Sequence, residues 1–140
     1  MSSKINDKNL LFVCGILGIL AVGLGAFGAH GLKSQLPADK ITTYTTGITY
    51  HFYHTISLLF VVILIKLSPS VWFKRAAFCF ILGIILFSGS LYLLATRELI
   101  GITQYKWLGP LTPIGGVFFI LGWLSLSIGA LSLKDANAAN

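Results

Sequence analysis

The chain is short of charge, and of acids above all. Only 10% of its 140 residues are Asp, Glu, Lys or Arg, and four of these are acidic. A soluble domain carries about 25% charged residues, so this composition argues against a fully water-facing surface. The two cysteines, Cys14 and Cys79, fall inside apolar stretches. That excludes a disulfide framework, which needs polar loops in an oxidising space, and leaves both thiols as small apolar side chains. There is no Cys-x-x-Cys and no spacing typical of a metal site. Alternating segments of about ten residues, the mark of a membrane barrel, are also lacking.

What the chain has is four apolar runs, near residues 10–29, 49–65, 76–95 and 114–133. Each approaches the ~20 residues a helix needs to cross ~30 Å of hydrocarbon. Mean hydropathy is +0.87. The runs predict an all-α fold, an integral membrane four-helix bundle. It forms one transmembrane domain over residues 1–140, with helices about 9–30, 38–66, 73–95 and 113–133. The first run exceeds the ~7–15 residues of a signal-peptide core, and three more follow it, so it is read as a retained span. No internal repeat is evident.

The formal charge of +6 does not point to nucleic acid, because the basic residues form no stripe interleaved with aromatics. They sit at the ends of the runs, where they set topology. Lys4, Lys8, Lys66, Lys74, Arg75 and Lys134 fall on one side; Lys33, Lys40, Arg97 and Lys106 fall on the other. The excess predicts both termini in the cytoplasm. In that topology Cys14 and Cys79 lie toward the same end. The polar tails, residues 1–8 and those after Lys134, are expected to be mobile.

Along the first run Ala21, Gly25 and Ala29 stack on one helix face, with Gly18 and Gly28 close by. Small residues at this spacing admit another helix backbone, so this helix is expected to be the central packing post. Pro37 and Asp39 suit the start of the second helix, and a threonine-rich stretch follows as its wet entry. Trp72 and Phe73 beside Lys74 and Arg75 read as an interface anchor. Thr112 is expected to cap the fourth helix, with Pro113 as its first residue. Trp123 falls near mid-membrane, where its indole N–H needs a partner.

All three histidines stand where an apolar run begins or ends. His30 closes Gly25-Ala26-Phe27-Gly28-Ala29-His30, and His51 and His54 lie in Tyr50-His51-Phe52-Tyr53-His54, three apart and so on one helix face. The stretch from Thr46 to Leu59 around that pentapeptide resembles the hallmark of the YgdD-like or YwdK-like family, small membrane proteins of unknown function. Gly25-Ala26-Phe27-Gly28-Ala29-His30-Gly31-Leu32, Phe87-Ser88-Gly89-Ser90-Leu91-Tyr92, Gly109-Pro110-Leu111-Thr112-Pro113-Ile114-Gly115-Gly116 and Gly122-Trp123 match it too, in order. The resemblance implies four transmembrane helices and a bacterial inner-membrane location, and no known activity. The family usually has Gln at the position of His51, which leaves His30 and His54 as the stronger ligand candidates.

By depth along each helix, His30, His51, His54, Ser88, Ser90 and Thr112 converge on the outer side. They predict an outward-facing polar pocket that binds a small ligand or lipid, or serves transport. An alternative is a structural or partner subunit of a membrane complex, in which the rings are interfacial anchors and interhelical ties. Three imidazoles could also share a metal ion, but no Cys or carboxylate joins them, so neither metal nor cofactor is expected. Ser88 or Ser90 with His54 lacks oxyanion donors and an orienting acid, so no enzyme is expected. The partners expected are the lipid bilayer and either a second copy or another membrane protein.

Overall fold

The computed structural model describes residues 7–131 and 133, all but a few turns of which are helical. Of the polar tails expected to be mobile, residues 1–8 and those after Lys134, residues 1–6 and all those after Lys134 lie outside the described residues, whereas Asp7 and Lys8 already belong to the first helix. Four helices are long and apolar enough to cross a membrane. Helix α1 covers Asp7–Phe27 and continues as a π-helical segment, Gly28–Leu32. Helix α2 is Ala38–Leu67. Helix α3, Val71–Thr96, is α-helical over Val71–Gly83 and Gly89–Thr96, with a π-helical segment at Ile84–Ser88. Helix α4 is Leu108–Ala130.

The ends follow local chemistry. Pro37, extended at ψ 156°, precedes α2 and places Asp39 in the first turn. At 30 residues and about 1.5 Å per residue, α2 exceeds the hydrocarbon thickness. Its first turns therefore hold threonines, whose hydroxyls donate to carbonyls four residues back (Thr42 to Ala38, 2.9 Å; Thr46 to Thr42, 2.9 Å). The Ser70 hydroxyl accepts from the Trp72 backbone N–H at 3.3 Å, so α3 starts two residues before the expected 73. After α3, Gly101 takes the left-handed conformation (φ 69°), and the Ile102 N–H closes on the Arg97 carbonyl at 2.9 Å, a glycine-terminated C-cap.

Helix α4 departs most from the sequence reading. It begins at Leu108, five residues before 113, with Pro113 inside it. Thr112 is therefore not the cap. A helix start leaves its first four N–H groups without intrahelical partners, so Pro110 costs nothing there and only the bond that Pro113 would have donated is lost.

Packing runs in chain order, α1 on α2, α2 on α3 and α3 on α4. The expectation that α1 is the central post is corrected. Only 17% of its most apolar window is buried, against 39% in α2 and in α3 and 22% in α4. The reason is that small residues permit an approach without supplying bulk. Gly25 and Gly28 do receive Ile48 and Tyr44 of α2, but Gly15, Gly18 and Gly23 face open space. The core comes from large side chains of α2 and α3, with Leu58, Val61, Phe73 and Phe80 fully buried.

The seam between α3 and α4 repeats every seven residues. A Cβ at Gly129 would meet the Phe73 ring (2.6 Å), one at Gly122 the Phe80 ring (2.5 Å), and one at Gly115 the backbone N and Cα of Phe87. Phe119 returns the contact on Gly83. As the numbers rise on one helix they fall on the other, so the pair is antiparallel. Each ring fills a notch left by a missing side chain, which is how close helix packing is obtained in lipid, where no hydrophobic drive acts between helices. A seven-residue repeat is the period at which two helices keep one seam facing.

Candidate functional site

Five of the six predicted site residues lie in the bundle, four of them tied into three separate contacts and Ser88 buried without a partner. The first involves His51, 3% exposed. Its Nδ1 lies 2.9 Å from the Tyr92 hydroxyl of α3. Tyr92 packs on Tyr44 with ring centroids 5.0 Å apart, and the Tyr44 hydroxyl donates to the Leu24 carbonyl of α1 at 3.1 Å. One chain of rings thus joins α1, α2 and α3. The other ring nitrogen of His51, Nε2, is buried without a hydrogen bond.

The second contact involves His54, 6% exposed. Its Nδ1 lies 2.8 Å from the Tyr50 carbonyl, one turn back on α2. A carbonyl can only accept, so Nδ1 carries the proton and Nε2 presents a lone pair. Trp123 of α4 fills that acceptor with its indole N–H, at 3.3 Å. The imidazole face is covered by Phe119, centroids 3.5 Å apart and 9° from parallel. Because Trp123 lies past the middle of α4, His54 is held in the interior of the bundle rather than at its outer rim.

The third contact joins α3 and α4. The Ser90 hydroxyl donates to the Phe87 carbonyl at 2.9 Å, so the Thr112 hydroxyl, 2.7 Å away, donates to Ser90. Ser88 is fully buried in the π-helical segment, and its hydroxyl has no partner.

The remaining predicted residue is elsewhere. His30 lies in the π-helical segment of α1 and is exposed. The wide turn puts Gly28, two residues before it, against Tyr44, and the imidazole away from α2. Among the described residues, grooves of about 300–450 Å³ run over the bundle surface at four places, and none of these four is lined by any of the six residues. Among the described residues no three His, Cys, Asp or Glu side chains are grouped to hold a metal ion. The two thiols line different grooves, Cys14 between α1 and α2 and Cys79 between α3 and α4.

Two residues outside the predicted site complete it, Tyr92 and Trp123, with Phe119 as the stacking surface. The sequence carried a signal for Trp123, the need of a mid-membrane indole for a partner. For Phe119 it offered the seven-residue spacing of glycines along α4. For Tyr92 it offered only proximity to Ser88 and Ser90.

A small all-α chain with four spans and a polar network sealed between them defines a class, the multi-pass membrane proteins. Residues 24–116 match the family model described as "Protein of unknown function (DUF423)", and the chain belongs to that family. It is 42% identical over 125 residues to the "UPF0382 membrane protein YwdK" of Bacillus subtilis (strain 168), covering 89% of this chain and 97% of that one. It is 37% identical over 128 residues to the "UPF0382 inner membrane protein YgdD" of Escherichia coli (strain K12), covering 91% and 93%. A "UPF0382 membrane protein SSP2132" of Staphylococcus saprophyticus is 40% identical over 126 residues, covering 90% and 99%. No solved structure matches the chain.

Proposed function

We propose that the chain is a non-catalytic membrane bundle that acts as a scaffold or partner subunit, and that its histidines are interhelical ties. One observation carries this reading: His54 is fully spent. Both its nitrogens are bonded, to Tyr50 and Trp123, and one face is stacked on Phe119. A ligand would have to break these contacts to reach it. Ser90 is likewise committed to Phe87 and Thr112, and neither serine is bonded to His54, which disfavours a serine–histidine dyad. A partner helix, from a second copy or another membrane protein, has a face to approach on α1, where Gly15 and Gly18 front open space.

Binding of a small ligand in the polar interior is the second reading. It is favoured by two buried atoms without partners, His51 Nε2 and Ser88 Oγ, since such atoms are costly when left unpaired. Native mass spectrometry from lipid nanodiscs separates the two. A bare protein at a clean oligomeric mass supports the scaffold. An added mass that disappears in His51→Ala or Ser88→Ala overturns it in favour of the ligand.

Both termini are assigned to the cytoplasm of a bacterial inner membrane, on the excess of Lys and Arg at that end of the spans. A C-terminal reporter that reads as external reverses this assignment.

A further inference from the structure

The groove between α3 and α4, at the end where α2 hands over to α3, differs from the other three. At about 450 Å³ it falls, like the others, within the roughly 300–1,000 Å³ of ligand sites; what sets it apart is a lining with two cationic side chains. Its walls are Trp72, Phe78 and Cys79 of α3 and Leu121 and Ser125 of α4, and Lys74 and Arg75 also line it. The guanidinium of Arg75 rests on the Trp72 ring, 4.6 Å from the centroid, an arrangement that holds a cation beside an aromatic suited to the headgroup level. Among the described residues neither Lys74 nor Arg75 is paired with a carboxylate. Lys66 stands at the end of α2 nearby in the chain. Of the four acids in the sequence, Asp39 and Glu98 belong to the opposite end of the bundle, and Asp7 and Asp135 to the chain ends on this side. Ser125 is nearly buried in the groove wall, and its hydroxyl makes no hydrogen bond among the described residues, unlike Ser127, which donates to the Trp123 carbonyl.

We infer that this groove is a site for one acidic phospholipid, with its phosphate on Lys74 and Arg75 and an acyl chain lying along Phe78 and Leu121. Charge complementarity selects the occupant. An apolar channel at membrane depth excludes a water-soluble anion, and two unpaired cations at its mouth favour an acidic headgroup over a zwitterionic one. The site is independent of the histidine network and of the scaffold reading.

The test compares lipid retention by the full chain, reconstituted in nanodiscs of phosphatidylcholine mixed with phosphatidylglycerol and released for native mass spectrometry. Phosphatidylglycerol should be retained in preference to phosphatidylcholine. Lys74→Gln/Arg75→Gln should lower its binding constant about 30-fold, and each single substitution about fivefold, the strength expected for cations near an acidic surface. Lys33→Gln/Lys40→Gln, at the other end, should leave retention unchanged. The single variants keep the test decisive if the double variant fails to fold. Equal retention of the two lipids, no change in the Lys74 and Arg75 variants, or an equal loss in the Lys33/Lys40 variant overturns the inference. So does a dimer or a complex with another protein whose assembly is lost in the Lys74 and Arg75 variants while retention of phosphatidylglycerol is not.

Discussion

Gly115→Ala tests the seam between α3 and α4 at its tightest point. The added methyl would run into the backbone N of Phe87, with the Phe87 Cα at 2.7 Å and Cβ at 2.8 Å. A side chain could rotate away from such a clash, but here the obstacle is main chain, inside the π-helical segment Ile84–Ser88. Relief requires α3 and α4 to separate, and separation withdraws Phe80 from Gly122 and Phe119 from Gly83 as well. Overpacking of a filled interior costs about 1–3 kcal/mol, and a backbone obstacle belongs at the upper end, about 3 kcal/mol. Replacing a helical glycine by alanine returns about 1 kcal/mol. The net expectation is a loss of about 2 kcal/mol, or about 30-fold in the unfolding equilibrium. Gly116→Ala is the matched control, because its methyl would meet only the Phe87 ring, at 3.8 Å. It keeps the alanine gain without the clash. Unfolding of both variants by graded denaturing detergent, followed by circular dichroism, measures the difference. If Gly115→Ala is as stable as Gly116→Ala, the close approach is not what holds the two helices together.

Other consequences follow from the polar ties. Tyr92→Phe removes the hydroxyl facing His51 Nδ1 and should cost about 0.6 kcal/mol and at most about 1.7, the range for interhelical hydrogen bonds in membranes. His51→Gln keeps a polar partner for Tyr92 and should lose less stability than His51→Ala in the same unfolding assay. His54→Ala removes both the acceptor of Trp123 and the plate on Phe119, so a loss of about 2 kcal/mol is expected, in the ordinary range for a buried group. The indole fluorescence should shift with it. His30→Ala, at an exposed position, should stay within about 0.5 kcal/mol of the native chain; a larger loss would mean that His30 is packed against something.

Much of this molecule was legible in the sequence. The four spans follow from run length and from charge confined to the run ends, and both are sums over neighbouring residues. Such quantities survive whatever the helices do to each other. The ends were readable where a single residue decides them, as with Pro37 before α2. The start of α4 was not, because Thr112-Pro113 looks like a cap and a first turn, while the bond between Thr112 and Ser90 and the packing of Gly115 on Phe87 hold those residues inside a longer helix.

The candidate site was legible only as a set of polar residues at similar depth. Whether each faces its neighbours depends on the rotation of its helix about its own axis, and hydropathy says nothing of that. The π-helical segments make this plain. One extra residue in a turn changes the phase of everything beyond it by about 100°. Before the segment in α3, Phe73 and Phe80 face the glycines of α4; beyond it, Tyr92 meets His51 and Tyr44 of α2. The segment in α1 carries His30 at the exposed surface while Gly28 meets Tyr44. Composition and run length alone determined that this chain is a four-span membrane protein, because the free energy of entering lipid is local and nearly additive. Tertiary structure alone decided that α2 and α3 form the core, that His54 is sealed between Phe119 and Trp123, and that His30 is left outside. These depend on helix phase and register, which are set only when one surface is fitted against another.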